Sequence, residues 1–239
     1  MTIPGVDLPA RPWRSRFAGL HPKAYLGIHG VLGAVACIVM IWAFAFIADE
    51  IPEQSLLVRV DRAIESWLQS YATEGGETFF NFVSWLGAQL MVGVAIIVLL
   101  GLAFRRDWLS AGALAIAIAG GSALNTLLKV LFQRGRPEAA TEFITHQSWS
   151  FPSGHAMTSL VGFGFLAYLL LERTTDRRAR IAIIAVTVIV VGLVGFSRLY
   201  LGVHYLSDVI AGYLAGAIWL LVCITGYRFA KERAAPRAL

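Results

Sequence analysis

The chain has 239 residues, of which 57% are hydrophobic and only 15% are charged, and its mean hydropathy is +0.68. Soluble domains average about 45–50% apolar and about 25% charged residues, so this composition disfavours a water-soluble globule. It also excludes an intrinsically disordered chain, and two cysteines are too few for a secreted domain held together by disulfides.

Long stretches without charged residues predict transmembrane helices, because about 20 apolar residues cross the hydrocarbon core of a bilayer. Six such stretches occur, at approximately residues 25–48, 82–104, 108–132, 155–171, 181–200 and 205–229. We therefore expect an all-α bundle of six transmembrane helices that forms a single integral membrane domain over residues 1–239. An even number of spans places both termini on the same side of the membrane.

The distribution of lysine and arginine predicts which side that is. Basic residues concentrate before the first span, in the loops that follow the second and fourth spans, and after the last span. This asymmetry predicts that both termini face the cytoplasm. It also accounts for the net charge of +5, and since no basic patch with interleaved aromatic residues accompanies it, we expect no nucleic-acid partner.

Between the first two spans, apolar and polar residues alternate at helical spacing. The apolar positions are Leu56, Leu57, Val60, Ile64, Trp67, Leu68 and Tyr71, and the polar ones are Arg59, Asp61, Arg62, Glu65 and Gln69. The pattern predicts a short amphipathic helix within residues 52–72, on the periplasmic side. Two roles stay open for it: it frames a lateral opening for lipid, or it is a packed connector.

Ionisable residues near membrane depth are energetically unfavourable, and so they usually mark function. In this chain they are Lys129 late in the third span, His155 opening the fourth, Arg198 ending the fifth, and His204 and Asp208 beginning the sixth. Because odd spans run outward and even spans inward in the predicted topology, all five residues are expected at the outer face. Such clustering at one face disfavours a transporter, in which charges are distributed through the bilayer.

The segment KVLFQRGRP, residues 129–137, carries three basic residues, Lys129, Arg134 and Arg136, and no acidic residue. Gly135 and Pro137 predict that the helix ends near Arg134, so that Arg136 turns back toward Lys129. The two cations then form an anion site. A helix end with snorkelling basic side chains would show the same pattern.

The segment FPSGH, residues 151–155, precedes an apolar run. Ser153 is predicted to cap the fourth helix, and Gly154 lets a ligand approach the backbone. The free N–H groups and the positive dipole at a helix start favour a phosphate, which His155 would face. A serine cap without a ligand is the alternative.

The segment SRLYLGVHYLSD, residues 197–208, contains a histidine and an aspartate four residues apart. On the helix that opens the sixth span, His204 and Asp208 are expected to share one face. The carboxylate can accept one imidazole N–H, which leaves the other ring nitrogen as a nucleophile or base.

In this order and spacing, K-x6-RP, PSGH and SR-x5-H-x3-D resemble the three-part signature of the type 2 phosphatidic acid phosphatase superfamily, which also includes vanadium haloperoxidases. The three motifs lie within residues 129–208. The resemblance implies that His204 attacks phosphorus to form a phosphohistidine and that Asp208 orients it. It also implies that His155 protonates the leaving oxygen and then activates the water that hydrolyses the intermediate.

The resemblance further implies that the phosphate oxygens are bound by Lys129, Arg136, Ser153, Gly154 and Arg198. Such fixed cations suit phosphoryl transfer, which depends mainly on positioning and charge stabilisation. No metal and no other cofactor is expected, because no carboxylate cluster suitable for Mg²⁺ accompanies the motifs.

The function expected from this resemblance is that of a lipid phosphatase in the bacterial cytoplasmic membrane, with its active site facing the periplasm. The substrate would be a membrane lipid phosphomonoester or diphosphate, with undecaprenyl diphosphate and phosphatidylglycerol phosphate favoured by analogy. Phosphatidic acid and the phosphates of lipid A are further candidates. The alternatives are a non-catalytic scaffold that binds lipid phosphate and a transporter. The expected partners are the lipid substrate and the bilayer, and the sequence indicates no protein partner.

Overall fold

The computed structural model describes residues 22–51, 55–137 and 149–234, with side chains of the first helix described at position 31 and from position 33 onward. These residues form helices and no strand, which confirms the all-α prediction. The helices are α1 (Pro22–Asp49), α2 (Leu56–Ser70), α3 (Glu74–Trp85), α4 (Met91–Phe104), α5 (Trp108–Phe132), α6 (Gly154–Arg173), α7 (Arg177–Tyr200) and α8 (Leu206–Ala234). A π-helical turn, Leu86–Leu90, joins α3 to α4.

Within the described residues, five helical segments are long and apolar enough to cross a membrane: Glu74–Phe104, Trp108–Phe132, Gly154–Arg173, Arg177–Tyr200 and Leu206–Ala234. Large apolar side chains such as Ile97, Phe104 and Val188 are exposed on their surfaces, as expected for helices that face lipid. The chain is therefore a multi-pass membrane protein. The first predicted span corresponds to a shorter apolar stretch, Gly33–Asp49, in α1, and six spans remain a prediction.

Two spanning helices begin earlier than the uncharged stretches predicted, because polar residues build their first turns. The Thr73 hydroxyl accepts a hydrogen bond from the Gly76 N–H (3.1 Å), so α3 begins at Glu74. The Asp176 carboxylate accepts one from the Ala179 N–H (2.7 Å) in the same way at the start of α7. An uncharged stretch of sequence therefore locates the apolar part of such a helix but not its polar first turn.

The predicted amphipathic helix is present as α2, and it packs against α7 and α8. Its Gln69 side chain donates a hydrogen bond to the Tyr200 carbonyl (3.0 Å). Asp61, expected on the polar face, is instead buried with 1% of its surface exposed. The packing favours the connector interpretation of α2. The buried Asp61 carboxylate was not expected, and it forms an ion pair with Arg134.

The closest helix packing brings the start of α6 against the start of α8. A Cβ atom at Gly212 would lie 2.6 Å from the Ser153 carbonyl oxygen, and one at Gly216 would lie 3.1 Å from the Met157 carbonyl oxygen. Two glycines four residues apart on α8 thus let the two backbones approach, as small residues do in membrane helix pairs. This contact fixes the segment before α6 beside the first turn of α8.

Two apolar clusters support this arrangement. One joins α4, α5, α6 and α8 through buried residues that include Leu102, Leu114, Val161, Phe165 and Tyr227. The other surrounds the fully buried Phe151, whose ring centroid lies 5.5 Å from that of Phe44 and 5.2 Å from that of Phe132. Every contact described here lies within one compact unit, which begins at Met40.

Candidate active site

The segment after α5 turns sharply away from the helix axis. The helix ends at Phe132, slightly before the predicted end, because Gln133 adopts the left-handed conformation (φ 46°) and its N–H donates to the Lys129 carbonyl (3.1 Å). The Lys129 ammonium donates to the Trp149 carbonyl oxygen. The Arg136 guanidinium donates to the Val203 carbonyl oxygen (2.9 Å), so this segment lies against the turn between α7 and α8.

The histidine and aspartate of the third motif are in contact, although the prediction that both lie on one helix is wrong. Helix α8 begins at Leu206, so His204 lies in the turn before it. The His204 Nδ1 is 3.3 Å from the Asp208 Oδ2. That oxygen also accepts the Tyr205 N–H (3.0 Å), as an acidic side chain in a first helical turn does when it reaches back to the start of the helix. A local cap therefore orients Asp208.

The two nitrogens of the His204 ring face different surroundings. Because Asp208 can only accept, Nδ1 carries the proton, and Nε2 keeps its lone pair. Nε2 lies 3.5 Å from Nη1 of Arg136. Burial lowers the pKa of His204 to about 4, Asp208 opposes this shift, and Arg198 and Arg136 add to it. The imidazole is thus neutral at pH 7, and the unprotonated Nε2 faces the cations and accepts from Arg136.

The other predicted residues converge on the same place. Lys129, Arg136, Arg198 and His204 are all near enough to interact electrostatically with His155, the second residue of α6. The structure therefore brings together two histidines and three cations from α5 and the segment after it, the start of α6, the end of α7 and the turn before α8.

Arg198 has one satisfied and one unsatisfied side of its guanidinium. One Nη1–H donates to the Ser84 hydroxyl, which is buried at the end of α3. Its Nε is buried and lacks a partner among the described residues, as does the hydroxyl of Ser153. Buried donors are normally satisfied, so two such groups beside a cationic cluster suggest a missing acceptor.

The start of α6 differs in detail from the prediction. Ser153 occupies the N-cap position as predicted, but its side chain makes no capping hydrogen bond. Its backbone N–H donates to the Asp208 carbonyl oxygen (2.9 Å), since α8 packs so closely here. At Gly154, a Cβ atom would lie 3.0 Å from Oδ1 of Asn125, so a side chain at position 154 would press against α5.

Four polar residues of the site were missed by reasoning from the sequence. Arg134 donates to Oδ1 of Asp208 (2.6 Å) and to Oδ2 of Asp61 (2.8 Å). The Ser150 hydroxyl donates to Oδ2 of Asp208. The Asn125 amide donates to the Pro152 carbonyl oxygen (3.4 Å), and its position four residues before Lys129 in an apolar helix was the one available signal. For Arg134 and Asp61, no local pattern indicates the contact.

The chain matches the PAP2 superfamily over residues 110–232. It is 32% identical over 187 residues to phosphatidylglycerophosphatase B of Bacillus subtilis, covering 75% of this chain and 83% of that protein. It is 32% identical over 170 residues to decaprenylphosphoryl-5-phosphoribose phosphatase of Mycobacterium tuberculosis, covering 69% and 85%. Lipid A 1-phosphatase of Rhizobium etli is 35% identical over 130 residues, which is 51% of each chain.

Two solved structures share the fold. The crystal structure of a transmembrane PAP2 type phosphatidylglycerolphosphate phosphatase from Bacillus subtilis superposes with a TM-score of 0.73 at 23% identity, covering 84% of this chain and 98% of that one. Aquifex aeolicus LpxE superposes with a TM-score of 0.54 at 24% identity, covering 72% and 97%.

Proposed function

Because the chain belongs to the PAP2 superfamily, we propose that it hydrolyses the phosphate ester of a membrane lipid through a phosphohistidine intermediate. The chain is a phosphoric ester hydrolase, since its relatives are phosphatases. The intermediate, the roles of individual residues and the identity of the lipid are the proposal.

The observation that carries the proposal is the orientation of His204. Its Nδ1 contacts Asp208 at 3.3 Å, while Nε2 faces the guanidinium of Arg136. A phosphate drawn to the cations would therefore meet the ring nitrogen that carries no proton. This is the arrangement of an oriented nucleophile.

The reaction then has two displacements. In the first, Nε2 of His204 bonds to phosphorus, the bond from phosphorus to the ester oxygen breaks, and protonated His155 gives its proton to that oxygen. In the second, neutral His155 accepts a proton from water, the water oxygen bonds to phosphorus, and the bond to Nε2 breaks. Nδ1 keeps its proton throughout, and Asp208 accepts this N–H and stabilises the charge that the ring gains.

The unsatisfied buried donors are the groups that would bind the phosphate. The non-bridging oxygens would accept from Nε of Arg198 and from the Ser153 hydroxyl, both buried without a partner among the described residues. Lys129 and Arg136 would add positive charge, and the N–H of Gly154 would donate at the start of α6. Charge-assisted hydrogen bonds of this kind stabilise the negative charge of a phosphoryl group during transfer.

We propose that the protein has six spans with both termini in the cytoplasm, so that the site opens at the periplasmic face of the bacterial inner membrane. The substrate would then be an amphiphile whose phosphate reaches this level while its chains stay in lipid. Phosphatidylglycerol phosphate and a polyprenyl phosphate or diphosphate such as undecaprenyl diphosphate are favoured, because relatives are named for a phosphatidylglycerol and a decaprenyl lipid.

The test is a phosphate-release assay on protein purified in detergent, with EDTA present. Four lipids are compared: phosphatidylglycerol phosphate, undecaprenyl diphosphate, phosphatidic acid and lipid A. We expect release from at least one lipid, inhibition by vanadate, and no release by His204→Ala protein that still inserts and purifies normally. Loss of activity in EDTA would contradict the metal-free mechanism, and lipid binding without release would indicate the non-catalytic scaffold.

A further inference from the structure

A buried arginine at one of the unspecified positions of the first motif, K-x6-RP, joins helix α2 to the proposed catalytic pair. Arg134 is 8% exposed and lies between two carboxylates that are 1% exposed or less. One side of its guanidinium donates to Asp208 at 2.6 Å, and the other donates to Asp61 of α2 at 2.8 Å. The guanidinium also stacks over the Tyr205 ring, 4.4 Å from the ring centroid.

Asp61 makes its remaining contacts with the same short segment. Its Oδ1 accepts the Ser207 N–H (3.0 Å), and its Oδ2 accepts the Ser207 hydroxyl. The side chains of Ile64 and Leu68, on the same helix, border a small cleft that also contacts His204. Helix α2 is thus fastened to the turn that carries the nucleophile and to the first turn of α8.

In this chain of contacts, the single positive charge of Arg134 is opposed by two carboxylates, Asp61 and Asp208. Burial lowers the pKa of Arg134, but Asp208 and Asp61 together raise it above its usual value, so the guanidinium stays charged. One positive charge is then shared by two carboxylates. Because part of the positive charge of Arg134 is neutralised by Asp61, Arg134 neutralises less of the charge of Asp208. Asp208 therefore presents more negative charge to the Nδ1–H of His204.

We propose that Asp61 and Arg134 are positioning residues for the nucleophile: through Arg134, Asp61 sets both the orientation of Asp208 and the negative charge that Asp208 presents to His204. The inference rests on the proposed function, because it assumes that His204 attacks phosphorus. It assigns α2 a part in catalysis, whereas packing alone would make it a connector. Neither residue belongs to the proposed phosphate-binding set, so their effect is expected on the attack and not on substrate binding.

The test compares Asp61→Asn and Arg134→Gln with the wild type in the phosphate-release assay, over a range of pH. The matched controls are Asp107→Asn and Arg173→Gln, which break an exposed aspartate–arginine pair. We expect kcat to fall about tenfold to a hundredfold in Asp61→Asn, with KM changed less than about twofold. This loss is smaller than the roughly 10⁴-fold expected when an orienting carboxylate itself is neutralised. The controls should keep wild-type kcat.

The pH profile separates positioning from simple structural support. Asp61→Asn removes a negative charge, so the pKa of His204 should fall and the acid limb of kcat/KM should move to lower pH. Arg134→Gln removes a positive charge, so the same limb should move to higher pH. The double variant should return the limb toward its wild-type position, while kcat stays low because Oδ1 of Asp208 has lost its donor.

These shifts can be assigned because the other groups around His204 are unchanged in every variant. The charged or titratable groups that face it are Asp208 and Tyr205 in its own segment, Arg136 after α5, His155 on α6, Arg198 on α7 and Glu65 on α2. Lys129 acts on Asp208 and His155 from α5. Unchanged kcat in Asp61→Asn, or acid limbs that move in the same direction in both single variants, would overturn the inference.

The two proposals fail in different ways. If wild-type protein releases no phosphate, or if His204→Ala protein does, the proposed function is wrong whatever Asp61 does. If Asp61→Asn protein does not fold, Arg134→Lys decides the matter, because it keeps a positive charge but cannot bridge two carboxylates with a planar fork. In that variant we expect reduced kcat with KM unchanged, and wild-type kcat would overturn the inference.

Discussion

Two arginines form ion pairs with aspartates at opposite ends of α5, and the chemistry of these pairs is the same. Arg134, just after the helix, is 2.6 Å from Asp208 and 2.8 Å from Asp61, and Arg173 is 2.9 Å from Asp107, just before the helix. Their burial differs greatly: the Arg134 side chain is 7% exposed, while Arg173 and Asp107 are 45% and 36% exposed. Distance alone therefore does not say what an ion pair contributes.

The difference follows from solvation. An exposed pair is screened by water and ions, and it contributes about 0–1 kcal/mol. A buried pair has already lost its hydration, so removing one partner leaves an uncompensated charge, which destabilises a protein by about 3–5 kcal/mol. The buried contact is also the one that touches the proposed nucleophile, so the two ends of α5 should respond very differently to the same substitutions.

The largest effect is expected where the buried network meets the reaction. Asp208→Asn should slow phosphate release by about 10⁴-fold, because an amide cannot hold the His204 ring in the tautomer that frees Nε2. The measurement is steady-state phosphate release by protein that elutes from a sizing column like the wild type. A loss below about tenfold would show that Asp208 is not the orienting group.

The next largest effect is a loss of stability at the end of α5 where the ion pairs are buried. Arg134→Leu should destabilise the protein by about 3–5 kcal/mol, since Asp61 and Asp208 would be left as two unpaired buried carboxylates. Thermal or denaturant unfolding in detergent measures this. Combining it with Asp61→Leu should restore part of the lost stability, because one unpaired charge is then removed.

A third arginine, Arg198, extends the comparison, because only some of its N–H groups have a hydrogen-bond partner among the described residues. Arg198 donates to Ser84, while its Nε is buried without a partner among the described residues. Arg198→Lys should reduce kcat/KM by about a hundredfold, since an ammonium cannot reproduce a planar fork toward phosphate oxygens. Folding should change little. Wild-type kcat/KM in this variant would remove Arg198 from the phosphate site.

The smallest effect is expected at the exposed end. Arg173→Gln should lower stability by at most about 1 kcal/mol and leave phosphate release unchanged. Asp107 would keep its hydrogen bond from the Ser110 N–H (3.2 Å), which caps the start of α5. High salt should abolish any difference in unfolding from the wild type. A loss as large as that of Arg134→Leu would refute the role given to burial.

Much of this architecture could be predicted from the sequence. Uncharged stretches located the apolar parts of the five spanning helices, and alternating helix directions placed Lys129, His155, Arg198 and His204 at one end of the bundle. The roles of these residues came from a resemblance to a family signature, and they are still to be tested.

The remainder depends on contacts between distant segments. Asp61 and Asp208 each lie more than 70 positions from Arg134, and helical periodicity gives no information at that separation. Asp61 even falls among the polar positions of an amphipathic pattern, where exposure is the usual expectation. The hydrogen bond from the Ser153 N–H to the Asp208 carbonyl oxygen has a similar origin, since it depends on the close packing of α6 on α8.

The most direct test of the central claim is to trap the covalent intermediate on His204. Wild-type protein would be mixed briefly with a lipid substrate carrying a radiolabelled phosphate and quenched in alkali, and the labelled peptide would be sequenced by mass spectrometry. The account predicts phosphate on Nε2 of His204, and none in His204→Ala protein. Label on another residue, or rapid turnover with no label at His204, would contradict it.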